Sequence, residues 1–198
     1  GAPARRVEPM RGAAVVVGLA RKKNVTTSVL MPYADRLHSF GLWYRQLLSE
    51  SLGKSGMGLS PINALGIVDQ HSQLQLFLDG PRDKMITFIG SDNVGFGSPI
   101  PVEFAGTWEA ELFEGRSLGD LFQAEYEATS QSLTAAARPV REFSVANVEE
   151  KAVGALLAHF MLEIILIGSH LGLNPFDQPA VEAGKILTRN LLLDVRKG

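Results

Sequence analysis

Apolar and polar positions along the chain follow two rhythms. Short runs rich in β-branched and apolar residues, at 25–31, 62–68, 84–89 and 140–145, read as strands. Longer stretches at 10–23, 34–52, 69–78, 117–136, 148–171 and 178–195 carry helical spacing. In 34–52, Leu37, Phe40, Leu42, Trp43, Leu47 and Leu48 fall on or near one face. In 117–136, Ser117 is a cap, and Leu118, Leu121, Phe122 and Tyr126 repeat at helical intervals. The 148–171 stretch is apolar on most of its circumference, which puts it at the centre of the fold or at an interface, and Gly172 closes it. Residues 1–9 read as a loose lead, and 91–107, rich in Gly, Ser and Pro, as a long loop with room for one edge strand. Strands alternating with helices predict a parallel α/β layer sandwich, one domain over residues 10–198.

Composition narrows the class. The 198 residues are 45% apolar and 20% charged, ordinary for a globular domain. With 19 basic against 21 acidic side chains and no long like-charge run, the chain offers neither a nucleic-acid nor a membrane-surface footprint. It has no cysteine, which excludes disulfides and thiolate chemistry and suits a reducing, cytoplasmic compartment. The most apolar segment, 152–173, is interrupted by His159, Glu163, Ser169 and His170, so it reads as a buried helix and not a membrane span. No stretch has signal-peptide form, and the Gly-Ala-Pro-Ala start without methionine suggests a piece of a longer chain.

Several local signals are weighed and dropped. Gly53-Lys54-Ser55 is no phosphate loop, because Leu48 stands where that pattern needs glycine. Val25-Thr26-Thr27-Ser28 could bind phosphate, but strand propensity accounts for it equally well. His38, His71, His159 and His170 lack zinc-ligand spacing, so no metal site is expected. His159 and Glu163, four apart on the long helix, read as a satisfied polar contact. No serine sits in a Gly-x-Ser-x-Gly elbow.

Three stretches hold the remaining candidates. Glu50 and Ser51 end a helix just before the Gly-Lys-Ser-Gly breaker at 53–56. Asp69 is placed to cap the next helix, with Gln70, His71 and Ser72 in its first turn. There the helix dipole disfavours an imidazolium, and a neutral His71 could give a proton at one nitrogen and take one at the other. A solvated polar first turn accounts for the same residues. In 174–185, Gln178, Glu182 and Lys185 share a helix edge, which taken alone is an ordinary solvated face.

Together, Glu-Ser-Leu-Gly-Lys at 50–54, Asp-Gln-His-Ser at 69–72 and Asn-Pro-Phe-Asp-Gln-Pro-Ala-Val-Glu-Ala-Gly-Lys at 174–185 resemble the phosphoglucose isomerase family, over essentially the whole chain, as its C-terminal half. The last motif departs from the family at Ala180, where glycine is usual. The resemblance implies a sugar isomerase domain: a three-layer sandwich whose five-stranded, mainly parallel sheet has helices on both faces. It implies that Glu50 is the base moving a proton between C2 and C1 of glucose 6-phosphate and fructose 6-phosphate through a cis-enediol. It implies that His71 assists ring opening and reaches the site from the partner subunit of a homodimer. Lys185 matches the lysine near the ring oxygen, and Gln46 and Gln178 match substrate-contacting glutamines. Aldose–ketose exchange needs neither metal nor nucleotide, so no cofactor is expected. The family's Ser/Thr-rich phosphate loop and its Gly-Gly-Arg motif belong to the N-terminal half and do not occur here; Gly115-Arg116 is a single Gly-Arg in the wrong place. The piece alone is therefore expected to be inactive without an N-terminal partner domain. Two alternatives remain: an isomerase that also takes mannose 6-phosphate, and a sugar-phosphate-binding module of the same fold without catalysis.

Overall fold

The computed structural model describes residues 8–102 and 106–194. Four parallel strands, β1 (Thr27–Pro32), β2 (Ser60–Asn63), β3 (Lys84–Ser91) and β4 (Val140–Val145), form one sheet in the order β2-β1-β3-β4. The central pair β1 and β3 is buried almost throughout, as near-continuous apolar runs must be when both faces are covered. Within β1, Thr27 and Ser28 are buried and the Ser28 hydroxyl pairs with that of Tyr44 at 2.9 Å, while Val25 and Thr26 precede the strand.

The sheet changes winding direction between β1 and β3. From β1 the chain steps outward through α2 (His38–Leu52) to β2; from β3 it steps the other way through α5 (Leu118–Ala135) to β4. Right-handed crossovers then require the two helices to lie on opposite faces. One core cluster accordingly joins Leu30, Met85 and Ile89 to α1 (Glu8–Lys23), α2 and α6 (Glu150–Leu171). The other joins Val29, Met31, Ile86 and Phe88 to α3 (Gly66–Asp79) and α5. The expected three layers are present; the expected five strands are four among the described residues. The possible edge strand in 91–107 is reduced to one antiparallel bridge, Pro99 to Ser117.

Three local expectations change. The apolar run at 62–68 is strand only to Asn63, and a helix begins at Gly66. Short apolar runs do not separate strand from helix. Here the carboxylate of Asp69 reaches back to accept the Leu65 N–H at 2.6 Å, and Gly66 lies flush on Tyr33, where a Cβ would come within 3.0 Å. Asp69 thus steadies the helix start from its fourth residue and is not the cap, and His71 sits beyond the first turn, so the dipole argument for it falls. Glu8 and Pro9 belong to α1, not to a loose lead; residues 1–7 lie outside the described residues. A short helix unforeseen in the sequence, α4 (Trp108–Phe113), follows that loop and starts where the Thr107 side chain accepts the Ala110 N–H.

Helix α6 is long and apolar enough to cross a membrane, but it packs as a core helix against α1 and α2. Its Glu163, 1% exposed, accepts Arg141 Nη1 at both oxygens, 2.9 and 2.7 Å, and pairs with His159 Nε2 at 3.1 Å. The His159–Glu163 contact is therefore structural, as the spacing suggested. α1 closes over it at Gly12, where a Cβ would lie 1.9 Å from Glu163 Oε2.

Two expected outcomes follow from this packing. Gly12→Ala must push a pinned carboxylate off its guanidinium, at a cost of about 2–3 kcal/mol. A urea melt with an unchanged slope should report it as a lower midpoint, and an unmoved midpoint would mean α1 is not seated on the pair. At α5, Ser117 and Asp120 form a reciprocal capping box. The Ser117 N–H, then the Gly95 N–H and the Ser117 hydroxyl, hold the Asp120 carboxyl below its ordinary value of 3.8. A depressed folded value means this contact stabilises above the ordinary pKa and is lost as pH falls through the lower one. Carboxyl-detected NMR should find the Asp120 midpoint below 3.8, moving upward in Ser117→Ala.

Candidate active site

Glu50 stands in the last turn of α2 because the helix cannot continue past Gly53. Gly53 takes φ −75° and ψ 62°, an inverse γ-turn in which the Lys54 N–H meets the Leu52 carbonyl at 2.8 Å. A Cβ at Gly53 would approach the Ser49 carbonyl to 2.7 Å, so the tight exit suits glycine. The chain then returns through 54–59 to enter β2 opposite Thr27, the first residue of β1. Glu50 therefore lies at the amino edge of the sheet, on the α1–α2–α6 face.

The second contributor arrives at the same edge from α6. That helix ends in a Schellman motif: Gly172 takes φ 71°, Leu173 N–H reaches the Gly168 carbonyl at 2.9 Å, and Gly172 N–H reaches Ser169. The next residues form an Asx turn, with the Phe176 N–H on Asn174 Oδ1 at 3.1 Å and Asn174 Nδ2 on Asp177 Oδ2 at 2.9 Å. Pro179 then opens α7 (Pro179–Asp194) at the first helical position, where its missing N–H costs nothing. The predicted helix end at Val195 lies outside the described residues.

At this meeting the Glu50 carboxylate is held at both oxygens. Gln46 Nε2 donates to Oε1 and Gln178 Nε2 donates to Oε2, each at 3.0 Å. Beside them Lys54 Nζ donates to the Asn174 carbonyl at 2.5 Å and to Asp177 Oδ1 at 2.7 Å. The Lys54 contact, followed by the Asn174 amide, draws the Asp177 carboxyl below its ordinary range. Glu50, Ser49, Lys54, Asp177, Gln178 and Val181 line an open cavity of about 350 Å³. A carboxylate fixed by two neutral amides keeps its charge available to a bound molecule while losing its rotational freedom. That arrangement suits proton abstraction.

The remaining expected residues are elsewhere. Lys185 lies two turns along α7, about 10 Å from Gln178 by helix rise, and its Nζ pairs with Glu182 at 2.6 Å. It faces a larger hollow of about 760 Å³ beside α7, a helix that buries none of its residues. His71 is exposed on α3, which leaves β2 at the opposite, carboxyl edge and packs on the opposite face. The two edges are about 20 Å apart along a six-residue strand. One chain thus joins Glu50, Gln46 and Gln178 directly, keeps Lys185 on the neighbouring helix, and holds His71 diagonally across the sheet. Lys54 and Asp177 are the site residues that the sequence reading passed over. Their signal was present: a lysine just beyond the helix end in one motif and an aspartate before the glutamine in the other.

The family model for phosphoglucose isomerase matches residues 2–198. A probable glucose-6-phosphate isomerase of Haloarcula marismortui is 44% identical over 168 residues, covering 84% of this chain and 38% of the relative. The glucose-6-phosphate isomerase of Carboxydothermus hydrogenoformans is 40% identical over 185 residues, covering 89% of this chain and 39% of its own. Among solved structures, a hypothetical protein from Thermus thermophilus superposes with a TM-score of 0.80 at 33% identity, over 94% of this chain and 48% of that one. A glucose-6-phosphate isomerase from Chlamydia trachomatis superposes at 0.71 and 21% identity, over 96% of this chain and 39% of its own, a likeness of fold. The chain spans about two fifths of the length of the curated relatives it matches. With essentially its full length matched by the family, and its fold and motifs in agreement, the chain belongs to the phosphoglucose isomerase family.

Proposed function

We propose that this chain is the C-terminal catalytic portion of a cytoplasmic, homodimeric glucose-6-phosphate isomerase of glycolysis and gluconeogenesis. The observation that carries the reading is the Glu50 carboxylate, held by the amides of Gln46 and Gln178 at the mouth of a cavity. Glu50 acts as the base. It removes the C2 proton of the opened aldose phosphate as O1 takes up a proton to give a cis-enediol, then returns its proton to C1 as O2 gives up its own, leaving the ketose phosphate. A single carboxylate can serve both carbons because they are adjacent, provided it is fixed and partly shielded from water. Gln46 and Gln178 hold the carboxylate between turnovers and can turn their amides to sugar hydroxyls. Lys185 serves the ring oxygen from the next turns of α7.

His71 assists ring opening, and its position across the sheet from Glu50 supports its arrival from a second copy. The phosphate anchor and the enediolate-stabilising arginine come from the N-terminal part of the enzyme, so the 198-residue piece alone turns over little or no substrate. A pure sugar-phosphate-binding module would have no use for a carboxylate fixed in this way. Activity toward mannose 6-phosphate is the second reading within the same chemistry and depends on the shape of the completed pocket.

Two measurements on the full-length enzyme test the reading. Glu50→Gln should lower kcat by about 10³-fold while KM stays within a few fold, since the amide cannot accept the proton. Unchanged turnover would remove Glu50 from the role of base. Glu50→Gln and His71→Asn subunits, each inactive alone, should regain about a quarter of the wild-type rate when mixed, because each heterodimer rebuilds one intact site in a two-fold assembly. No recovery on confirmed subunit exchange would place both residues in one chain's site.

A further inference from the structure

We infer that Lys54 is a positioning residue for the reaction, acting through Gln178 on Glu50. This rests on the proposed role of Glu50 as base. Glu50 is steadied on one side by Gln46, from its own helix, and on the other by Gln178, which is 128 positions away in sequence. Gln178 therefore needs its own fixing, and α7 cannot supply it, because no residue of that helix is buried. The support comes from the segment before it.

Pro175 packs on α6 at Gly168, where its Cβ lies 3.3 Å from the position a side chain would take. The Asx turn gives 174–177 a set shape but attaches it to nothing. Among the described residues, the side-chain hydrogen bonds tying this turn to α2 and its exit are those of Lys54, to the Asn174 carbonyl and to Asp177, together with Gln178 on Glu50 itself. The Lys54 side chain is 12% exposed while its Asp177 partner is 52% exposed, so the stem is packed and the charge is aimed. Lys54 follows Gly53 directly, and the γ-turn that ends α2 also points its side chain back across the α6 exit. One lysine thus bolts the exit of the helix that carries Gln46 and Glu50 to the turn whose next residue, Gln178, holds the base from the other side. Without it the Asn174–Gln178 turn is free to swing on Pro175, and Gln178 leaves the carboxylate.

The test uses full-length isomerase. Lys54→Met keeps the stem and removes the donors; it should lower kcat by about 10–100-fold with KM within about threefold, the cost of a misplaced base. Lys54→Arg, still able to reach both acceptors, should restore most of that rate. In a Gln178→Leu background, Lys54→Met should cost less than about twofold more, because the two substitutions remove one linkage. Asp177→Asn, at an exposed position, should show the same pattern in smaller measure and serves if Lys54→Met does not fold. The inference is overturned if Lys54→Met leaves kcat unchanged or costs as much in the Gln178→Leu enzyme as in the wild type. It is also overturned if Asp177→Asn leaves kcat unchanged where Lys54→Met does not fold. Full activity in Glu50→Gln would instead remove the base assignment, so the two failures are separable.

Discussion

The reversal of winding between β1 and β3 governs where everything chemical can stand. A parallel sheet with right-handed crossovers sends its helices down one face or the other according to the direction of each strand-to-strand step. Because β1 steps outward to β2, α2 runs down the face it shares with α1 and α6 and delivers Glu50 to the amino edge. Because β2 must cross β1 to reach β3, α3 starts at the carboxyl edge on the other face and carries His71 there. No side-chain rotation can close a diagonal of that size. The same topology that brings Glu50 and Gln178 together at one edge rules His71 out of their company within a single chain.

The edge at which Glu50 stands is firm for two separate reasons. Behind it, α6 is fixed to the sheet by the ion pair of Arg141 with the buried Glu163, over which α1 closes at Gly12; the guanidinium also lies over Phe143 and Phe160 at 5.0 and 5.6 Å. A buried ion pair is weak evidence for net stability, but breaking one partner is costly, so it sets register between β4 and α6. In front, the ends of α2 and α6 are shaped by backbone devices, a γ-turn and a Schellman motif, that leave little freedom in the direction of the exiting chain. The polar contacts joining Glu50, Lys54, Asp177 and Gln178 lie at the surface, and individually such contacts are weak. They hold a geometry together, because the backbone brings the α2 exit and the Asn174–Asp177 turn within reach and Lys54 then joins the two.

Much of this was legible in the residue pattern, and the misses share a cause. β4 and α5 emerge with their predicted starts because Val140–Val145 is bounded by turn residues and Ser117 carries a full capping box. The helix at 34–52 was legible as a single stretch, although its first turn is a separate 3₁₀ segment at Asp35–Leu37. The run at 62–68 was not, because Ile67 and Val68 are as suited to strand as to helix, and what decides is the contact of Gly66 with Tyr33, far back in the chain. α4 rests on a Thr107 cap inside a Gly- and Pro-rich segment, too short for periodicity to register. Of the site, Glu50 and Gln178 could be named from motifs and Gln46 from the family resemblance, but the bond between Glu50 and Gln178 could not, since spacing along the chain carries no information about two segments meeting after 128 residues. Lys54 was visible as the last residue of a motif at a helix breaker, with no role until the turn at Asn174–Asp177 was seen opposite it.

Helix α7 separates the part of the candidate site that the core fixes from the part that it does not. It exposes Val181, Ile186, Leu187, Leu191, Leu192 and Leu193, all between 47% and 64% accessible, and contributes nothing to either core cluster. A helix with no buried face gains its stability from whatever it later packs against. Lys185 shares that helix and borders the open hollow beside it, so no core contact fixes its distance from the Glu50 carboxylate. Glu50 and Gln178 stand on the other side of that division, fixed by elements already seated in the core. Glu50 and Gln178 are therefore placed by elements that this fold completes, while Lys185 stands on a helix that it leaves uncovered.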